Sequence, residues 1–277
     1  MDDVVKSTPA LEPGLAAACL RASIDGDDLY AIPARLGSVA SLLPQIGWSD
    51  SARTGERWLA LGEIDSLVAP AGAGFAGALA LLERARERLK VLAGLSPEPS
   101  LVRYVGGLAF DPRHGAHPGW PGGEAARFIL PRVLLRQANG TIEATVLGTP
   151  GPEARRLIER IRRAAMAPHS PPSPIRVSEA TLPAARGRWT GAVGEVLRAI
   201  DAGAARKVVL SRDILLDARR AIDPWELLRL VHQRDPHGLR FCLRFDHQSA
   251  FMGASPERLV AQDGSMLALD CLAGTIA

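Results

Sequence analysis

The sequence predicts an α+β protein, with antiparallel β-sheets and flanking helices. Three observations carry that expectation. Strand-like runs follow one another across turns too short for a parallel crossover, which needs a dozen residues or more; the clearest turns are Asn139-Gly140 and Asp263-Gly264. Amphipathic helical stretches stand between groups of strands instead of alternating with single strands, which argues against a doubly wound sheet. With 277 residues and 47% hydrophobic content, the chain can bury a sizeable core, as one large domain or two ordinary ones.

Taken in order, residues 1–30 carry few signals. Glu56–Pro70 (ERWLALGEIDSLVAP) reads as a strand entering a turn. Phe75–Gly94 has apolar residues at helical spacing and a terminating glycine. Val102–Pro112 is strand-like but broken by Gly106-Gly107, a pair that marks a bulge or a close backbone approach. Ala126–Gly148 reads as two strands around Asn139-Gly140, a strong hairpin signal. Arg155–Arg163 (RRLIERIRR) is a helix with Leu157, Ile158 and Ile161 inward and a solvated basic face.

Pro168, Pro171, Pro172 and Pro174 then exclude helix or central strand. This connector divides the chain into an N-terminal portion (1–166), the connector (167–185) and a C-terminal portion (186–277). Trp189, Val193, Val196, Leu197 and Ile200 form one face of a helix that stops near Gly203. Lys207–Leu216 is expected to be a strand, with Lys207, Val209, Ser211 and Asp213 on one face and Val208, Leu210, Ile214 and Leu216 on the other. A helix over Pro224–Gln233 follows, with Asp223 as its N-cap and Pro224 at its first position. Short strands come last: Leu239–Asp246, Ala250–Gly253, Arg258–Gln262 and Ser265–Leu272.

Composition excludes several classes of partner. The net charge is only +3 and the arginines are dispersed, so no polyanion footprint forms and no nucleic-acid partner is expected. Cys19, Cys242 and Cys271 have neither metal-ligand spacing nor even pairing, which fits a reducing compartment. No apolar run reaches the ~20 residues that span a bilayer, and the first residues lack an apolar leader core. A cytoplasmic protein without membrane contact is the expectation.

Three stretches suggest chemistry. The first is Ala205–Asp213 (ARKVVLSRD). Only three of 33 basic residues are lysine, so a lysine heading a β-branched run looks chosen for what arginine cannot do, which is to lose its proton. A solvated lysine before a strand is the plain alternative. The second is Phe251–Val260 (FMGASPERLV), where an apolar strand ends at Ser255-Pro256 and presents Glu257; a surface pairing of Glu257 with Arg258 would be worth well under ~1 kcal/mol. The third is Cys271–Ala277 (CLAGTIA), whose small residues let a backbone approach a ligand closely. His114 and His117 lie in a Pro/Gly-rich loop and lack the further ligands an ordered metal site needs.

In combination, KVVLSR, the SPE whose glutamate comes 50 residues after Lys207, and LAGT resemble the chorismate-utilising enzyme family. Within it the isochorismate synthases are most similar, since VGGLAFDP and RFILPR match upstream segments found there. The resemblance implies the chorismate-binding fold of anthranilate synthase component I, incomplete at its C-terminus. It implies water addition at C2 of chorismate with loss of the C4 hydroxyl, Lys207 being the general base and Glu257 the general acid. Ala273, Gly274 and Thr275 would line the substrate. A base must be able to shed its proton and an acid to carry one, which accounts for both residue types. Ammonia-using relatives usually lack the lysine at 207, and some carry another where Ala273 stands. Salicylate synthases share Lys207, Glu257 and LAGT and stay open as an alternative, as does a non-catalytic module that keeps the scaffold.

The resemblance also implies Mg²⁺, held by two glutamates downstream of LAGT. No glutamate follows Glu257, so the expected ligands lie beyond Ala277 and no metal ligand is assigned within these residues. Residues 1–277 by themselves are therefore expected neither to bind Mg²⁺ in the family manner nor to turn over chorismate. They are also expected to expose an unpaired sheet edge and apolar surface, with poor solubility. The full-length form is expected to be monomeric.

Overall fold

The computed structural model describes residues 19–26, 28–36, 42–50, 54–95, 102–110, 124–148, 151–168, 174–179, 184–236, 238–257 and 260–269. The chain divides into two compact units, one comprising residues 1–172 with 223–277 and the other residues 173–222. Residues 223–277, which follow the proline-rich connector in sequence, thus group with the N-terminal part.

The larger unit is built on one antiparallel sheet, as its turn chemistry predicts. Its strands are β1 (Cys19–Asp25), β2 (Gln45–Asp50), β3 (Glu56–Ala69), β4 (Val105–Leu108), β5 (Ala126–Ala138), β6 (Thr141–Leu147), β9 (Leu239–Arg244) and β10 (Phe251–Ser255). They run in the order β1-β6-β5-β3-β2-β9-β10, with β4 also paired to β5. Every pairing is antiparallel. The β5–β6 hairpin turns on Asn139 (φ 50°) and Gly140 (φ 78°), the two positive-φ positions that a type I′ turn requires.

Alternation along the strands splits the core in two. Leu59 and Leu61 of β3, Val133 and Leu135 of β5, and Ile142, Ala144 and Val146 of β6 face one side. There they meet α1 (Ile32–Leu36), α3 (Pro152–Met166) and α5 (Pro224–Arg234). Trp58, Ala60, Ile129, Leu134 and Leu243 face the other side. The basic helix behaves as its spacing predicts: Ala154, Ile158, Ile161, Ala164 and Ala165 of α3 are buried. Arg160 reaches back to donate to the Leu36 carbonyl at 2.7 Å. At the far end, α2 (Gly74–Leu95) sets Ala78, Leu81 and Ala85 against Leu67 and Ala126 of the sheet.

The helix α5 brings the later residues into this unit. Asp223 caps it by accepting from the Trp225 N–H at 3.0 Å, with Pro224 at the first position. Trp225 is fully buried, stacks on Tyr30 with ring centroids 5.9 Å apart, and donates from Nε1 to Oε1 of buried Gln45 at 2.8 Å. At the other end of α5, Arg57 of β3 donates to Nε2 of His232 at 2.7 Å, which requires a neutral imidazole.

That contact makes stability depend on pH. Burial, then the positive charges of Arg57 and Arg240, hold His232 down at about 4, against the weaker opposing pull of Asp28 and Asp235. The unfolded chain therefore binds the extra proton between about pH 6.5 and 4 while the folded chain does not. The contribution is whole above about pH 6.5 and is lost as the pH falls through that window. Discounted for the partial exposure of the ring, it amounts to about 1–2 kcal/mol. Urea denaturation at pH 7 and pH 4.5 should show this much less pH dependence in His232→Gln than in the parent; equal dependence would remove His232 as the cause.

The smaller unit holds α4 (Ala184–Asp201) and the short ribbon β7 (Val177–Glu179) with β8 (Leu216–Ala218). Among its described residues none is buried. The two remaining strands, β11 (Ala261–Asp263) and β12 (Met266–Ala268), form a hairpin around Gly264 in the larger unit, with Met266 and Leu267 exposed.

Candidate active site

The expected strand over Lys207–Leu216 is corrected by the structure. Residues 207–215 are in no β-ladder, and pairing begins only at Leu216, opposite Glu179. Alternation marks which side chains could share a face, yet a strand exists only where a partner meets its N–H and C=O groups. Within its unit, this segment finds a partner only three residues long. Lys207 is exposed, and so is Val209, at 80%. The desolvation that a lysine base calls for is not supplied by the described residues of this unit.

A cleft of about 290 Å³ lies beside the segment, between Arg188, Trp189 and Ala192 of α4 and Leu210–Asp213. The Arg212 guanidinium sits over the Trp189 ring, 5.9 Å from its centroid. Lys207 does not line this cleft. Ser211 and Asp213, expected on the face of Lys207, line the wall of the cleft instead.

Glu257 belongs to the larger unit and is placed by β10. That strand pairs with β9 from Phe251↔Leu243 to Ser255↔Leu239, and β9 pairs in turn with β2. Beyond Ser255 the chain turns through Pro256. The Ser255 hydroxyl donates to the Glu257 carbonyl at 2.8 Å and accepts from the Glu257 N–H at 3.2 Å. Glu257 itself is exposed. Lys207 thus belongs to the smaller unit and Glu257 to the larger. Ala273, Gly274 and Thr275, expected to line the substrate, lie outside the described residues, as do His114 and His117.

Two features of the larger unit escaped the sequence reading. The first is the double contact of Ser255 with the Glu257 backbone. The second is a groove of about 630 Å³ on the sheet face opposite α3 and α5, walled by Trp48, Phe128, Phe241, Leu243 and Phe251 with Arg103 at its side. The Arg103 guanidinium stacks over Trp58, 4.1 Å from the ring centroid. The glycine pair, by contrast, was legible as a close approach: a Cβ on Gly106 would stand 2.0 Å from the Arg127 carbonyl oxygen of β5.

Metal and thiol chemistry find little footing. Among the described residues no group of three or more His, Cys, Asp or Glu side chains could hold a metal ion. Cys242 is buried in β9, and burial pushes its thiol up to about 12, which leaves it inert. Among the described residues no helix is long and apolar enough to cross a membrane.

Comparison with known proteins bears on these residues directly. A family model described as chorismate binding enzyme matches residues 40–277. The chain is 26% identical over 186 residues to the isochorismate synthase MenF of Haemophilus influenzae, covering 64% of this chain and 39% of that one. It is 29% identical over 190 residues to the salicylate biosynthesis isochorismate synthase of Pseudomonas aeruginosa, covering 65% and 39%. The chain thus spans about two fifths of the length of these relatives. Among solved structures, MenF, the menaquinone-specific isochorismate synthase of Escherichia coli, matches with a TM-score of 0.51 at 18% identity, over 90% of this chain and 53% of that one. That likeness shows the α+β fold.

Proposed function

We propose that this chain, which belongs to the chorismate-binding enzyme family, supplies the base and the acid for converting chorismate to isochorismate. The observation that carries the reading is the ordered set of Lys207, the Ser255–Glu257 turn and the Ala273–Thr275 segment within the matched residues. The names of its relatives favour the same product.

In the proposed reaction, water adds through its oxygen to C2 of chorismate and gives a proton to the neutral Lys207 amine. The Glu257 carboxylic acid protonates the C4 hydroxyl, which leaves as water. One water enters and one leaves, so the net change is an isomerisation. The amine ends protonated and the carboxylate ionised, and exchange with solvent resets both. Ala273, Gly274 and Thr275 would place backbone beside the ring. The Mg²⁺ implied by the resemblance belongs to the proposal with no ligand assigned within this chain. A cytoplasmic location and a monomeric state are proposed on the same footing.

Chromatography of chorismate incubated with Mg²⁺ tests the reading. The protein that carries these residues is expected to give isochorismate without salicylate or pyruvate; pyruvate release would move it to the salicylate-forming class.

A further inference from the structure

We infer that Ser255 is a positioning residue for Glu257, holding the backbone from which the acid acts; this rests on the acid role proposed above. A general acid must come within hydrogen-bond reach of the oxygen it protonates, and a displacement of about 1 Å can cost ~100-fold in rate. Glu257 lies two residues past the end of β10 on an exposed turn, where holding a residue's backbone in one conformation costs conformational entropy. Something must therefore hold it.

The structure assigns that task to one hydroxyl. Ser255 Oγ closes on both polar groups of the Glu257 backbone, donating to its carbonyl at 2.8 Å and accepting from its N–H at 3.2 Å. The residue between them is Pro256, whose ring fixes φ and which brings no competing N–H. Few backbone torsions are left free between the hydroxyl and the glutamate.

Ser255 is itself anchored to the core. It is the last paired residue of β10, opposite Leu239 of β9. The next residue of β9, Arg240, is fully buried and donates from Nε to Ser49 Oγ of β2 at 3.2 Å. The same guanidinium donates to the Asp235 and Pro236 carbonyls, and Asp235 Oδ1 accepts from the Gly238 N–H at 3.2 Å. The loop before β9, the end of β10 and the centre of the sheet are thereby tied together. The Ser255 hydroxyl extends this fixed frame by two residues to the Glu257 backbone.

Ser255→Ala, Ser255→Thr and Glu257→Gln in the protein that carries these residues separate the possibilities. Ser255→Ala is expected to lower kcat about 10–100-fold with KM changed less than about threefold, while Ser255→Thr, which keeps the hydroxyl, stays within about threefold of the parent. Amide hydrogen exchange at Glu257 should speed up in Ser255→Ala and not in Ser255→Thr, a readout that needs no turnover. Parental kcat in Ser255→Ala, or unchanged exchange at Glu257, overturns the inference. Parental turnover in Glu257→Gln overturns the acid role instead, and the exchange result still reports whether Ser255 holds the backbone.

Discussion

Lys207→Ala is expected to lower kcat for isochorismate formation by about 10²–10⁴-fold, or roughly 3–5 kcal/mol of transition-state stabilisation. The estimate follows from the residue's proposed task. Water attacks C2 only as it loses a proton, and among the basic side chains of this stretch only an amine gives up its own proton to become the acceptor. Lys207→Arg separates that task from a plain electrostatic one. A guanidinium keeps the positive charge but stays protonated at any working pH. If Lys207 is the base, arginine should fail almost as badly as alanine. If the position only attracts the substrate's carboxylates, arginine should preserve most of the rate and alanine should mainly raise KM. Steady-state rates by chromatography decide between these outcomes, and a Lys207→Arg enzyme within tenfold of the parent would remove the base assignment.

The identities of the proposed site residues were legible because each rests on a short local pattern. A lone lysine among arginines, a Ser-Pro-Glu turn and a run of small residues can be found without knowing what they touch. The geometry was not legible. Lys207–Leu216 alternates like a strand, yet its N–H and C=O groups find no ladder partner until Leu216, so its pairing depends on residues distant in sequence. The hairpin at Asn139-Gly140 succeeded for the converse reason: its register is set by the turn itself.

The strand β2 shows a different failure. Gln45–Asp50 carries no element expectation in the sequence, but it is a strand between β3 and β9. Its inward positions are Gln45, Gly47 and Ser49, chosen by what lies opposite. Gln45 receives the Trp225 indole N–H, and Ser49 receives Arg240 Nε. Partners nearly two hundred residues away in sequence make these polar groups acceptable in a core, and hydrophobic patterning cannot see them. The same holds for the Ser255 hydroxyl, whose value lies in two hydrogen bonds that composition does not record.

Trp225→Ala is expected to cost about 4–6 kcal/mol, a large share of the roughly 5–15 kcal/mol that usually separates folded from unfolded domains. Removing a fully buried indole forfeits about 3–5 kcal/mol in transfer and cavity terms. It also strips buried Gln45 of its donor, which adds part of the ~1–3 kcal/mol cost of an unsatisfied group. Trp225→Phe keeps most of the ring and loses only the second contribution, so it should cost about 1–2 kcal/mol. The indole also explains why β2 carries glycine at 47: a Cβ there would stand 2.7 Å from Trp225 Cζ3 and 3.1 Å from Tyr30 Cε1. Gly47→Ala in the parent should therefore destabilise by about 2 kcal/mol, as overpacking does. In the Trp225→Ala background the indole is gone and the new methyl finds room, so the same change should cost at least about 1 kcal/mol less. Urea midpoints for the four proteins of this cycle measure that coupling directly. Equal costs for Gly47→Ala in both backgrounds would show that the tryptophan is not what excludes a side chain from β2.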